Sequence, residues 1–536
     1  MNQRENKNVT EAVLEEGRTE CAEFSWRQLL GLSLALLLFY CYKVLIGKLP
    51  PMASLGLALM LALAFWNVRY LATSRSLAVV LKVLVVATTG YLALTYPYYI
   101  PSSGPGEVNE RLGDLLHLAW LPSLAFGVLA LIRPAFAVVP MTYLVVLKSE
   151  LSRTSGLPLS QTDYAIIPES ALLAVIAINL AWLAKKLGVF RDRPLRSFGD
   201  HAFYLIAAIH FANYFYAGYQ KLVLDGPLLS WLANQTQNIF YSSLVYQSNP
   251  LGGWDSGILL LARLLEQSVE LTNILVLAFQ LASIVAITRR GLIVLFAVFF
   301  DLMHLAIFLA TGIFFWKWII LNLVIIFAAR RMSFHVPPKL LTGFAMGALV
   351  LAPSVFYIPL LGWYDSREIN RTTIRAVTEE GDRLELPSNF FRNYSVIFAQ
   401  NRIARESSER LPTGAYGATW SYETYLRSFE CSNTLLPASS KEKQAEQLNG
   451  LGRFISGYHE FALRQTNVDG RLAYDYFPHH IWSNPMQYGR VKELDLKKVV
   501  GYELVVEGVC MVGVSELPSV DLVSRTKTIF PIRLGS

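Results

Sequence analysis

The stretch Tyr214-Phe215-Tyr216-Ala217-Gly218-Tyr219-Gln220-Lys221-Leu222 closes a long apolar run that begins near His201. A helix needs about 20 apolar residues to cross ~30 Å of hydrocarbon, so this run reads as a membrane span with a lysine at its very end. Such a lysine has an ordinary explanation, because its long stem lets the ammonium reach the headgroup region.

Working outward, ten further apolar runs of comparable length occur at 27–46, 52–68, 77–97, 114–132, 134–148, 167–184, 268–288, 291–311, 312–329 and 340–361. Pro134 and Pro140 interrupt one of them, so 114–132 with 134–148 also fits a re-entrant hairpin; the parity of later spans is the same either way. Of the 536 residues only 16% are charged, against about a quarter in soluble domains. That deficit is confined to 26–361, and 362–536 reads as water-exposed sequence. The expected fold is therefore an α-helical polytopic membrane protein with about 9–11 spanning helices and a small C-terminal α+β domain. Three parts follow: a polar N-terminal segment at 1–25, the membrane domain at 26–361, and the soluble domain at 362–536. Within the second, 223–267 alternates apolar and polar residues with Trp231 and Trp254, which suggests amphipathic helices in the interface.

Residues 1–25 lack the basic start and apolar core of a cleavable signal, so the first span is expected to direct insertion. Basic residues alternate between loops. One side carries Arg69, Arg75, Arg133, the 185–196 cluster, Arg289, Arg290, Arg330 and Arg331; the other carries only Lys48, Arg111, Lys148, Arg153 and Arg263. This predicts a cytoplasmic N-terminus in the plasma (bacterial inner) membrane and an external C-terminal domain. Lys221 and His304 then fall at similar depth in the outer leaflet. The net charge of +7 follows the loops and forms no basic stripe, so a nucleic-acid partner is not expected.

Ionisable groups inside a bilayer cost roughly 2.5–3.5 kcal/mol on insertion scales, and each calls for a reason. Asp301 and His304 stand at i,i+3 on one helical face, where a carboxylate can hold an imidazole tautomer; the alternative is an interhelical hydrogen-bonding pair without catalytic role. Glu266 and Glu270 suit the start of the 268–288 helix. Lys317, between Trp316 and Trp318, suits an interfacial anchor, and His117, His201 and His210 have no partner at ligand spacing. No metal motif, Walker loop or nucleophile elbow appears. In 366–536, strands fit 372–377, 384–386, 499–506 and 526–532, with a hairpin turn at Gly381 and a helix over 440–466. His479-His480 reads as a surface pair. Cys431 and Cys510 are candidates for one disulfide if this domain meets an oxidising compartment.

The Ala217-Gly218–X–X–Lys221-Leu222 helix end resembles the active-site segment of vitamin K-dependent γ-glutamyl carboxylase and its bacterial relatives, which share a horizontally transferred transmembrane domain. Phe299-Phe300-Asp301-Leu302-Met303-His304, followed by Phe314-Phe315-Trp316, resembles the family's histidine helix and the Phe-rich turn after it. The resemblance implies Lys221 as the base, His304 as its companion, and Tyr216, Asp301 and Phe315 around the cofactor. It implies reduced vitamin K or a related quinol, with dioxygen and carbon dioxide as co-substrates and no metal. A lysine would deprotonate the quinol, whose oxygenation yields a base strong enough to remove a γ-proton from glutamate. The acceptor would be a peptide or protein on the outer face, reached from within the membrane lipids. Asp163 and Tyr164 fall in a loop where the family has other polar functional residues. Two departures are Gln220, where the animal enzyme has a second lysine, and a much shorter C-terminal domain. The resemblance further implies that Lys221 and His304 open into one aromatic-lined cavity, closed toward the cytoplasm and roofed by 223–267. A transporter or lipid-handling protein and a membrane-anchored interaction module are the readings from other classes.

Overall fold

The computed structural model describes residues 24–70, 73–95, 110–155, 165–189, 195–399, 414–431, 441–464, 466, 469–471, 481, 491–511 and 520–532. Asp163, Tyr164, His479 and His480 lie outside them. Each of the expected apolar runs lies on a helix: α1 (Trp26–Lys48), α2 (Pro51–Ala64), α3 (Arg75–Leu94), α4 (Glu110–Ala130), α5 (Val138–Ser155), α6 (Ile166–Lys186) and α7 (Leu195–Leu222). A short α8 (Gln237–Val245) precedes α9 (Asp255–Ala286), α10 (Arg290–Thr311), α11 (Trp316–Ala329) and α12 (Lys339–Val355). Among the described residues, six of these helices are long and apolar enough to cross a membrane, namely α1, α3, α4, α6, α9 and α10; α2, α11 and α12 are apolar but shorter.

Two expectations need correction. The run 258–265 is not an interfacial element but the first turns of α9, because no glycine or proline interrupts the helical phase into 268–288. Glu266 and Glu270 consequently sit inside that helix rather than at its start, and Glu266 accepts a hydrogen bond from Tyr241 at 2.5 Å. Lys317 is buried, with its Nζ 5.1 Å from the centre of the Trp316 ring and 5.9 Å from that of Tyr91.

The helices sort their residues by solvent. In α1, Leu32, Ala35, Phe39, Tyr42 and Ile46 recur at three- and four-residue spacing and are buried, whereas Leu30, Leu34, Leu37 and Leu45 are exposed. In α10 the exposed row is Leu295, Val298, Leu302, Leu305 and Leu309. Rows of exposed leucine on this scale suit lipid as the surrounding medium. α7 is the exception: from Ser197 to Tyr214 it is buried on every side, against α9, α12, α6 and α3. That is why a helix of 28 residues carrying Asp200, His201, His210 and Asn213 belongs here, since its polar groups meet protein and not hydrocarbon.

After α12 the chain runs extended into the C-terminal domain. It comprises β1 (Tyr364–Asp365), β2 (Glu368–Thr378), β3 (Arg383–Leu386), α13 (Ser395–Ala399), β4 (Ala418–Thr419), α14 (Tyr422–Arg427), α15 (Lys441–Arg464), β5 (Val499–Met511) and β6 (Val520–Pro531). β1 pairs with β4, and the main sheet is antiparallel in the order β3-β2-β5-β6. Side chains alternate across it with period two. Ile374, Ala376, Tyr502, Leu504, Val506 and Phe530 form a core with α15, and this core continues into Leu92, Leu116 and Tyr143 of the helical domain. Arg371, Arg375, Glu503 and Glu507 occupy the opposite face, Arg371 across from Glu507 and Arg375 across from Glu503. Gly381 turns the β2–β3 hairpin at φ +87°, a conformation that a side chain would strain.

Cys431, just after α14, is disulfide-bonded to Cys510 near the end of β5, with the Cα atoms 5.8 Å apart. The link closes a loop of 79 residues and ties the α14 region to the central strand. Replacing Cys431 with serine should lower unfolding stability in detergent by roughly 2–5 kcal/mol, and reductant should lower the wild type to the same level. Equal stability of the two proteins would mean that the cross-link does not constrain the fold.

Candidate functional site

Lys221 owes its position to the small residues before it. Ala217 and Gly218 let α9 cross α7 closely: a Cβ on Gly218 would lie 2.9 Å from Cβ of Gln280 and 3.1 Å from the backbone nitrogen of Leu281. This packing exposes the last turn of α7 to the segments on either side of the C-terminal domain junction. Gln220 fastens one of them, its Oε1 accepting from the Leu361 amide at 2.5 Å and its Nε2 donating to the Pro359 carbonyl at 3.3 Å. Gly362 must pass so near that a Cβ there would be 2.7 Å from Cβ of Gln220.

Lys221 itself is 8% exposed. Its Nζ donates to the carbonyls of Ala217 at 3.2 Å and Leu361 at 3.1 Å and lies 5.0 Å from the centre of the Trp231 ring. Trp231 belongs to the 223–267 segment and donates from Nε1 to the Trp363 carbonyl at 2.9 Å, so this segment covers the lysine. Among the described residues no carboxylate stands within ion-pair distance of Lys221. Asp365 is the acid whose charge it feels.

Asp365 is enclosed as well. Its Oδ2 accepts from Asn234 Nδ2 at 2.7 Å, its Oδ1 from Trp363 Nε1 at 2.9 Å, and its backbone is held by Asn234 Oδ1 and Asn238 Nδ2. Asn273 of α9 supports this loop by donating to the carbonyls of Leu232 and Asn234. Burial pushes the Asp365 carboxyl up to about 6, while the Asn234 and Trp363 hydrogen bonds and the Lys221 charge work against that rise.

His304 sits in a second, aromatic centre. Its ring centroid is 5.2 Å from Phe315, 5.7 Å from Tyr214 and 6.4 Å from Trp318. The Asp301–His304 hydrogen bond expected from i,i+3 spacing does not form. Asp301 Oδ1 instead accepts from Asn322 Nδ2 at 2.8 Å, because the facing helix α11 presents an amide donor, a strong partner for a carboxylate. Asn322 also donates to Tyr214 OH at 2.8 Å and meets His210 Nε2 through Oδ1 at 2.7 Å. Asp301 Oδ2 and His304 Nδ1 are buried without hydrogen-bond partners among the described residues.

The structure thus gathers Asp301, His304 and Phe315 around Asn322 and Tyr214, and places Lys221 in a neighbouring cluster. Tyr214 and Lys221 are seven residues apart on one face of α7, about 10 Å along its axis. Tyr216 turns elsewhere, its hydroxyl donating to the Val350 carbonyl of α12 at 2.5 Å. Tyr214, His210, Asn322, Trp231, Asn234 and Asp365 were not singled out from the sequence as site residues. A lone asparagine in the apolar run 316–329 was the available signal for Asn322; nothing local marks Asn234 or Asp365.

Because the folded carboxyl of Asp365 titrates near 6 and the free side chain at 3.8, folding retains its proton. Its stabilisation is complete below about pH 4 and lost as pH rises through 6. Asp365→Asn should therefore gain on the wild type by on the order of 2 kcal/mol between pH 4 and 7 in detergent unfolding, Glu368 being common to both proteins. A pH-independent difference would refute a proton held at this site.

The chain matches no protein-family model, and neither a curated protein nor a solved structure is similar to it at a significant level.

Proposed function

We propose that the protein is a membrane enzyme with quinol-coupled, carboxylase-like chemistry in which Lys221 is the base and His304 its companion. The observation that carries this reading is Lys221 itself: a lysine buried at the end of the central helix α7, with no carboxylate in ion-pair range among the described residues. A buried amine without a counter-ion is a costly feature that structural needs alone rarely retain. The aromatic rings of Phe315, Trp318 and Tyr214 around His304 suit the company of a quinol ring, and His304 Nδ1 and Asp301 Oδ2, unpartnered among the described residues, offer polar contacts for its hydroxyls. A bound quinol would supply the oxygen-dependent chemistry. The part of the chain is to hold it away from water, to orient it at His304, and to take up a proton at Lys221 Nζ. An acceptor would approach from the side of the C-terminal domain.

A second reading has its own observation. The two carbonyl hydrogen bonds of Lys221 and its cover by Trp231 join α7 to the chain entering the C-terminal domain, so the lysine would also serve as a latch in a non-enzymatic transporter or interaction module.

Purified protein given a reduced quinone and dioxygen should consume the quinol. Lys221→Ala and Lys221→Arg should both lower that rate by about 100-fold or more, since a guanidinium does not yield its proton. A latch predicts no consumption by the wild type and a loss of thermal stability in Lys221→Ala alone.

The reading also requires a cytoplasmic N-terminus and a C-terminal domain outside, in accord with the alternating basic loops and the Cys431–Cys510 disulfide. A cysteine introduced at Glu380, in the exposed β2–β3 turn, should react with an impermeant maleimide on intact cells. Labelling only after the membrane is breached would invert the orientation.

A further inference from the structure

The charged face of the C-terminal sheet is a polar feature that the Lys221 reading leaves unused. On it, Glu503 is almost wholly enclosed, its side chain 3% exposed, and is shared by Arg375 at 3.5 Å, Arg383 at 3.7 Å and Lys527 at 3.8 Å. Glu507 is shared by Arg371 at 3.7 Å and Arg525 at 3.2 Å, and Glu385 stands 3.9 Å from Arg371. Five cations thus converge on three carboxylates. The contacts of Arg371, Arg375 and Arg383 are all 3.5 Å or longer, beyond the 2.7–2.9 Å of a charge-assisted hydrogen bond. Among the described residues, their guanidinium groups are attracted to this face without a short hydrogen bond that takes up their N–H donors.

These three arginines line one cavity of about 430 Å³. Its other walls include Phe391 and Phe398 of the C-terminal domain, Tyr246 and Ser248 from the segment after α8, and one carboxylate, Glu385, against the three arginines. The size is that of a site for a small organic ligand, and the combination of cationic and aromatic walls suits an anion with an apolar remainder.

We propose that this cavity binds a phosphate monoester, held between Arg371, Arg375 and Arg383. Guanidinium forks match the terminal oxygens of a phosphoryl group, and a phosphoryl can accept from more than one fork at once, which a single carboxylate does less well. A dianion also balances the excess of cations over carboxylates among the described residues of this face. The phosphoryl group comes from a lipid headgroup or from a soluble phosphate ester. This proposal is independent of any role for Lys221.

The test uses the full chain in a neutral detergent, with binding read by calorimetry and native mass spectrometry. The probes are inorganic phosphate, glycerol 3-phosphate and phosphatidic acid, with phosphatidylcholine as the choline-masked comparison. The wild type should bind one equivalent of phosphatidic acid or glycerol 3-phosphate and prefer it to phosphatidylcholine. Preference for the lipid assigns a headgroup, and equal affinity for glycerol 3-phosphate assigns a soluble ester; either supports the site. Arg371→Gln and Arg383→Gln should each weaken binding by about tenfold or more. Arg525→Gln, which lies on β6 and does not line the cavity, should not. Arg383 is half-exposed, so its variant keeps the test open if Arg371→Gln fails to fold. No binding of any phosphate monoester by the wild type, or undiminished binding in a folded Arg383→Gln protein, would overturn the proposal and leave the arginines as a charge ladder.

Discussion

Asp200, His201, His210, Asn213 and Lys221 all ride on one helix, and hydrocarbon offers none of them a hydrogen bond. That constraint shapes the membrane domain. α7 has to be central, and its neighbours must bring polar groups to the right heights. α11 brings Asn322, whose single amide joins Tyr214, Asp301 and His210. The chain before α12 brings the Ser333 amide to Asp200, 2.9 Å away. Every partner found this way fixes the rotation of a helix whose remaining surface is leucine, valine and phenylalanine, residues that pack in many registers.

The same logic governs the junction between the two domains. Backbone emerging from α12 would leave unpaired carbonyls and amides, and Gln220 and Lys221 take up three of these groups from residues 359–361. Trp231, Asn234 and Asn238 take up the next, as far as Asp365. The C-terminal domain is therefore not tethered by a free linker. It is docked through the residues around the candidate base, so that position and chemistry at Lys221 are set by both domains together. A buried polar network of this kind rewards full satisfaction and penalises any missing partner, which rigidifies the region.

Period and hydropathy made the architecture readable in advance. Apolar runs of bilayer length marked each long helix, and the β-like runs 372–377 and 499–506 marked two strands that pair in the main sheet. Cys431 and Cys510 were readable as a pair because few cysteines occur in the C-terminal part. The errors arose where a local signal competes with a continuing one. An amphipathic stretch at 258–267 looks interfacial until the unbroken helical phase into α9 is followed, and Asp301 with His304 look paired until an amide arrives from another helix.

By itself, then, the sequence determined what each segment would bury and with what periodicity, since these follow from side-chain solubility and backbone geometry. It also singled out Lys221, His304 and Asp301 as polar residues in unusual places, and the resemblance added Phe315. Only the tertiary structure decided their company. It set Lys221 under the Trp231 ring and within the electrostatic influence of Asp365, residues 10 and 144 positions away in the chain. It turned Tyr216 toward α12, and it collected three arginines from two strands around one cavity. The physical reason is that hydrogen bonds and ion pairs reach only a few ångströms, so their partners are chosen by how helices and strands pack and not by how they are spaced along the chain.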